Sequence, residues 1–123
     1  KENIVLNVNM DMIAHNDKNE LYACGLFHYP QLKEPLTKVK SSINLLSGHD
    51  NPNDKTMQNW TNSSDHRSFH KEKIPFIYFG VEDHKDYHKD TDTFENINQD
   101  FYVEAVKLII QSIENYDTFL KTN

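Results

Sequence analysis

The chain has 123 residues, 37% hydrophobic and 26% charged, with a formal net charge of −6; this suits one globular domain or part of one. The acidic balance and the lack of a Lys/Arg stripe argue against a nucleic-acid partner, and no apolar run is long enough to span a bilayer. Cys24 is the single cysteine, so an internal disulfide is excluded.

The first residue is Lys1, and a strand-like run starts at Ile4 with almost no lead-in. We therefore expect the numbering to start inside a larger protein. Residues 4–10 are β-branched-rich and alternate loosely, which predicts a strand ending at Asp11. A turn cluster at 16–19 separates it from a short strand over 21–25, and the pair reads as a hairpin. Residues 30–42 are weakly helical, with Pro35 near the start of the helix. Residues 43–46 suit a third strand. The polar, turn-rich stretch 48–63 reads as a long surface loop, a common home for function.

Ser64-Asp65 then looks like an N-cap for a short helix over 65–73. Residues 74–80 are a continuous apolar run, as in a strand buried on both faces. A charged loop over 82–92 follows. The final helix is predicted over 98–119, with Phe101, Ala105, Leu108, Ile109 and Ile113 as its apolar stripe. Interleaved strands and helices point to the α/β class, a layered mixed sheet flanked by helices.

Three segments carry chemistry. In open α/β sheets the ligand crevice lies at the carboxyl ends of strands, where Asp11 and the loop with Tyr87-His88 would fall. A carboxylate ending an apolar strand is costly to bury unpaired, so Asp11 either meets a divalent metal or caps the following turn. His66 and His70 sit four apart on the short helix. A zinc-helix reading fails, because the Glu of H-E-x-x-H falls at Arg67. The plain alternative is a capped helix with Phe69 in the core and His70 solvated. His88 follows a buried strand and suits a metal through a neutral imidazole nitrogen. Asp90 or Asp92 then accepts its other N–H; the competing reading is an acidic solvated loop.

The order and spacing of these segments resemble the zinc aminopeptidase family that includes bacterial double-zinc aminopeptidases and glutaminyl cyclases. Met10-Asp11-Met12-Ile13 matches its "hydrophobic-Asp-Met-Ile" segment. Ser64-Asp65-His66-Arg67-Ser68-Phe69 matches its Ser-Asp-His-x-x-Phe segment. Lys73-Ile74-Pro75 matches Gly-Ile-Pro apart from the Gly. Tyr87, His88, Asp92, Thr93, Glu95 and Ile97 match Tyr-His-x-x-x-Asp-Thr-x-Glu-x-Ile in full. The resemblance covers nearly the whole chain.

The resemblance implies a zinc exopeptidase fold, with residues 1–123 as the C-terminal half of its catalytic domain. It implies two zinc ions bridged by one Asp, with Asp11 a ligand of one ion and His88 a ligand of the other. The remaining ligands and a general-base Glu lie ahead of the Asp11 segment in that family, so no catalytic residue is expected in this chain. Asp65, His66, Tyr87 and Asp92 would line the substrate pocket or order its wall. The oxyanion Tyr of some members has no counterpart in Trp60-Thr61-Asn62-Ser63, and Trp60 either shapes a hydrophobic pocket or packs. Expected partners are a peptide substrate and the missing N-terminal half, with oligomerisation through an exposed sheet edge; the expected location is extracellular or periplasmic. The alternatives are a glutaminyl-cyclase-like transferase, which has a Trp where Tyr87 stands, and a non-catalytic interaction domain of the same fold.

Overall fold

The structure is a computed structural model, described here for residues 4–13, 16, 18–82 and 99–122. Four strands form one mixed sheet: β1 (Asn7–Met10), β2 (Glu20–Cys24), β3 (Asn44–Ser47) and β4 (Phe76–Gly80). Helix α1 (Lys33–Thr37) follows a 3-10 turn over Pro30–Leu32, α2 is His66–Lys71, and α3 is Gln99–Thr122. The α/β class with a mixed sheet matches the expectation from sequence.

The strand order is β1-β4-β2-β3. β1 runs parallel to β4, β2 runs antiparallel to β4, and β2 runs parallel to β3. The expected β1–β2 hairpin is therefore wrong. The most apolar strand, β4, takes the place between them, because the centre of a sheet buries both faces of a strand. All five β4 residues are buried.

Side-chain alternation assigns the two faces. Ile77 and Phe79 join Leu21 and Ala23 in the main core, under Phe101, Ala105, Leu108, Ile109 and Tyr116 of α3. Phe76, Tyr78 and Cys24 make a second cluster on the opposite face, with Tyr29 and Trp60. Burial pushes the Cys24 thiol far up, and nearby Asp50 adds to the effect, so this cysteine is core packing rather than a nucleophile.

Pro35 sits in the first turn of α1, where its missing N–H costs nothing. Tyr116 Oη donates to the Leu32 carbonyl at 2.8 Å, and the Gln111 amide exchanges two hydrogen bonds with the Lys40 backbone. These bonds tie α3 to the α1 segment. Ile113 is not part of the α3 core stripe; it is 43% exposed, while Ser112 and Tyr116 face inward. A helix lying on a twisted sheet turns its contact line along its length, which carries the stripe past position 113.

Candidate functional site

The stretch 48–63 lies against the second face of the sheet and is less superficial than expected. His49, Asp50 and Thr61 are buried within it. The Asp50 carboxylate accepts from the backbone N–H groups of Gly25 and Phe27, at 2.8 and 3.0 Å. Gly25 is required at that junction: its φ is +126°, and a Cβ there would lie 2.5 Å from the Phe76 carbonyl oxygen.

Parallel β1 and β4 end at the same side of the sheet. Asp11 follows β1 directly, and its N–H donates to the Phe79 carbonyl at 3.3 Å. Its side chain is exposed. Ser64 Oγ, 53 positions away in sequence, donates to Asp11 Oδ2 at 3.3 Å. The expected N-cap of α2 does not form. Asp65 occupies the cap position with helical dihedrals and makes no side-chain cap bond. Ser64 turns to Asp11 instead, and Asp65 is exposed at the helix start.

Asn9 links β1 to α2. It lies opposite Tyr78 on the second face. Its amide Nδ2 donates to Ser64 Oγ at 3.2 Å and to His66 Nδ1 at 3.3 Å. His66 Nε2 in turn donates to the Trp60 carbonyl at 2.8 Å, because a carbonyl only accepts. These partners assign the Nε2–H tautomer. Desolvation holds the His66 imidazole below its ordinary value, against the raising effect of its bond to Trp60. With both nitrogens occupied, His66 is a neutral structural hub and no metal ligand.

The sequence expectation for α2 is inverted in this respect. His66 is fully buried against Phe76 and Tyr78, at ring separations of 4.7 and 4.5 Å, while Phe69 is only half-buried. A six-residue helix is too short for an apolar period to show which side faces in. His70 is half-buried rather than fully solvated. Tyr29 Oη meets its Nδ1 at 2.7 Å, and the ring of His28 lies 4.8 Å away. Burial first, and His28 second, hold His70 below its ordinary value. His28 Nε2 meets Thr61 Oγ1 at 3.0 Å. Trp60 packs face to face on His49, with Tyr22 and Tyr78 at its edges.

The structure thus brings together Asp11, Ser64 and His66 from two of the sequence segments. Tyr87, His88 and Asp92 of the third lie outside the described residues. Asn9, His49 and Glu82 carry contacts that no motif announces; the one clue is a polar Asn inside a strand, flanked by apolar residues.

A family model, Peptidase family M28, matches residues 1–113. The chain belongs to peptidase family M28. No curated protein and no solved structure matches it. Membership gives the chain a peptidase-like function in a family that is generally zinc-dependent, and it agrees with the resemblance to zinc aminopeptidases and glutaminyl cyclases. Among the described residues no group of three His, Cys, Asp or Glu side chains is placed to hold a metal, and none of the helices is long and apolar enough to cross a membrane. Asp11 fits a zinc site in its chemistry: an exposed carboxylate at a strand end, oriented by a hydroxyl donor, as metal-binding carboxylates are.

Proposed function

We propose that the protein is a zinc aminopeptidase to which this chain contributes one metal-binding carboxylate, Asp11, and one metal-binding imidazole, His88. The observation that carries the reading is the Ser64–Asp11 hydrogen bond, which joins the Met-Asp-Met-Ile and Ser-Asp-His segments into one site at the carboxyl end of β1. Among ordinary folds a carboxylate so placed is a frequent ligand position.

When bound there, zinc supplies an acidified water and a polarised carbonyl. The chain's own residues do the positioning. Ser64 holds Asp11 Oδ2 in one orientation, and Asn9 orients the Ser64 hydroxyl by donating to it, leaving its proton for Asp11. His66 anchors Asn9 and, through the Trp60 carbonyl, the loop behind it. The other ligands and the general-base Glu belong to the part of the domain that precedes the Met-Asp-Met-Ile segment in the family, so residues 1–123 form the C-terminal half of the site and are inactive by themselves. The same reading makes the protein extracellular or periplasmic.

Hydrolysis of aminoacyl-p-nitroanilides by the full-length protein tests this, beside the N-acetylated compounds and a glutaminyl peptide. Release of p-nitroaniline only from free-amino substrates is expected. Cyclisation of the glutaminyl peptide without hydrolysis would make it a glutaminyl-cyclase-like transferase. Neither activity would leave an M28 fold used for binding.

A further inference from the structure

Among the described residues, His49 is placed unlike the other histidines. Its side chain is 3% exposed. Nδ1 lies 2.8 Å from the Gln58 carbonyl oxygen, and Nε2 lies 3.0 Å from Glu82 Oε2. A carbonyl and a carboxylate both only accept, so each ring nitrogen has to donate. Only the imidazolium does that. A neutral ring would turn a lone pair on one of the two acceptors, at hydrogen-bond distance and with no proton between them.

The surroundings suit a cation. The ring lies flat on the Trp60 indole, with centroids 3.6 Å apart and planes 6° apart. That is the geometry in which an aromatic face attracts positive charge. Tyr22 of β2 meets the ring edge-on at 4.6 Å. Among the described residues the charged groups around it are Glu82, just past β4, Asp54 in the loop, whose carboxyl is held down chiefly by its Thr56 hydrogen bonds and least by His49, and the neighbouring Asp50, occupied by two backbone N–H groups. The backbone is committed as well. His49 has φ of +60°, which L-residues rarely adopt, and its carbonyl accepts from the Trp60 N–H at 2.6 Å.

His49, Trp60 and Glu82 line one cleft, of about 320 Å³, together with Thr56, Met57 and Gln58. The Trp60 carbonyl also receives the His66 bond that leads through Asn9 and Ser64 to Asp11. We propose that His49, held as an imidazolium, is a positioning residue that fixes the Glu82 carboxylate and the Trp60 indole as adjoining walls of this cleft beside the peptidase site. The carboxylate is half turned to solvent, with Glu82 40% exposed, so the brace sets a group that a substrate can meet. Its kinetic consequence rests on the peptidase reading; the charge and the brace do not.

Trp60 is the only tryptophan of these 123 residues and stacks on His49; an imidazolium stacked on indole quenches emission, so the Trp60 signal is read in the full-length protein as the difference from a Trp60→Phe control. The test combines ring-nitrogen NMR of His49 at neutral pH, Trp60 emission, and steady-state kinetics of the zinc-loaded full-length protein, for wild type, His49→Gln and Glu82→Gln. We expect both wild-type nitrogens to carry protons and both variants to raise Trp60 emission. His49→Gln should raise KM about tenfold with kcat within about twofold, since only uniform substrate binding is lost. Zinc content should be unchanged. A wild-type ring with one bare nitrogen would overturn the proposal, as would an unchanged KM in an active His49→Gln enzyme. If His49→Gln fails to fold, Glu82→Gln carries the test: unchanged emission in it would also overturn the brace. Absence of turnover in the wild type would sink the peptidase reading, and the NMR and emission results would still decide the brace.

Discussion

Asn9 on β1 and His66 on α2 stand 57 positions apart in sequence and meet through Asn9 Nδ2 and His66 Nδ1 at 3.3 Å. That contact turns two separate sequence segments into one site. It fixes the His66 tautomer from one side, while the Trp60 carbonyl fixes it from the other. The consequences can be measured.

Replacing His66 by Ala should destabilise the protein by about 3 kcal/mol. The cavity left against Phe76 and Tyr78 contributes, and so does the loss of the two hydrogen bonds to Asn9 and the Trp60 carbonyl. Urea unfolding of the two proteins measures this as a lower midpoint at unchanged slope. A loss below about 1 kcal/mol would mean that the hub carries little of the packing assigned to it.

Ser64→Ala separates positioning from stability. The hydroxyl is half-buried, donates to a carboxylate at an exposed position and accepts from Asn9, whose amide keeps His66 as a partner, so its removal should cost about 1 kcal/mol of stability or less. Zinc affinity, measured by chelator competition on the full-length protein, should fall about tenfold, because the proposed ligand Asp11 loses its orienting donor. Equal zinc affinity in the variant would detach Ser64 from the metal site.

His66 and His70 contribute to the acid limb of stability. His66 and His70 are both held below the ordinary histidine value of 6.5, chiefly by burial. The unfolded chain therefore binds protons that the folded one does not, and stability must fall as pH drops below that value. Above it the contribution is complete. His66→Gln should flatten the decline in melting temperature between pH 6.5 and lower pH. A decline as steep as in the wild type would assign the limb to other groups.

Phe79→Ala tests the central strand. Phe79 is wholly buried at the middle of the sheet and in the main core. Its loss should cost about 3–5 kcal/mol, enough to unfold a marginal domain.

What was legible in the sequence follows from where each signal is stored. The β4 run and the α3 stripe are local patterns, and both elements form nearly where their periodicity places them. The position of β4 between β1 and β2 is a long-range choice, invisible to turn signals, and it replaces the expected hairpin. In α2 the polar-looking His66 is core and Phe69 is not, because a histidine with both nitrogens satisfied buries as readily as a hydrophobe. Asp11 and the Ser64-Asp65-His66 segment were readable as motif residues; that Ser64 serves Asp11 rather than capping its helix was not. His49 and Glu82 lie 33 positions apart and match no motif, so only the fold brings them together.

Zinc content of the full-length protein tests the central claim most directly, measured for wild type, Asp11→Asn and His88→Ala beside aminoacyl-p-nitroanilide hydrolysis. The account predicts about two zinc ions in the wild type, about one in each variant, and loss of hydrolysis in both, since each ion of a catalytic pair depends on its own protein ligands. A wild type that hydrolyses these substrates with the same zinc content and rate as either variant would contradict it.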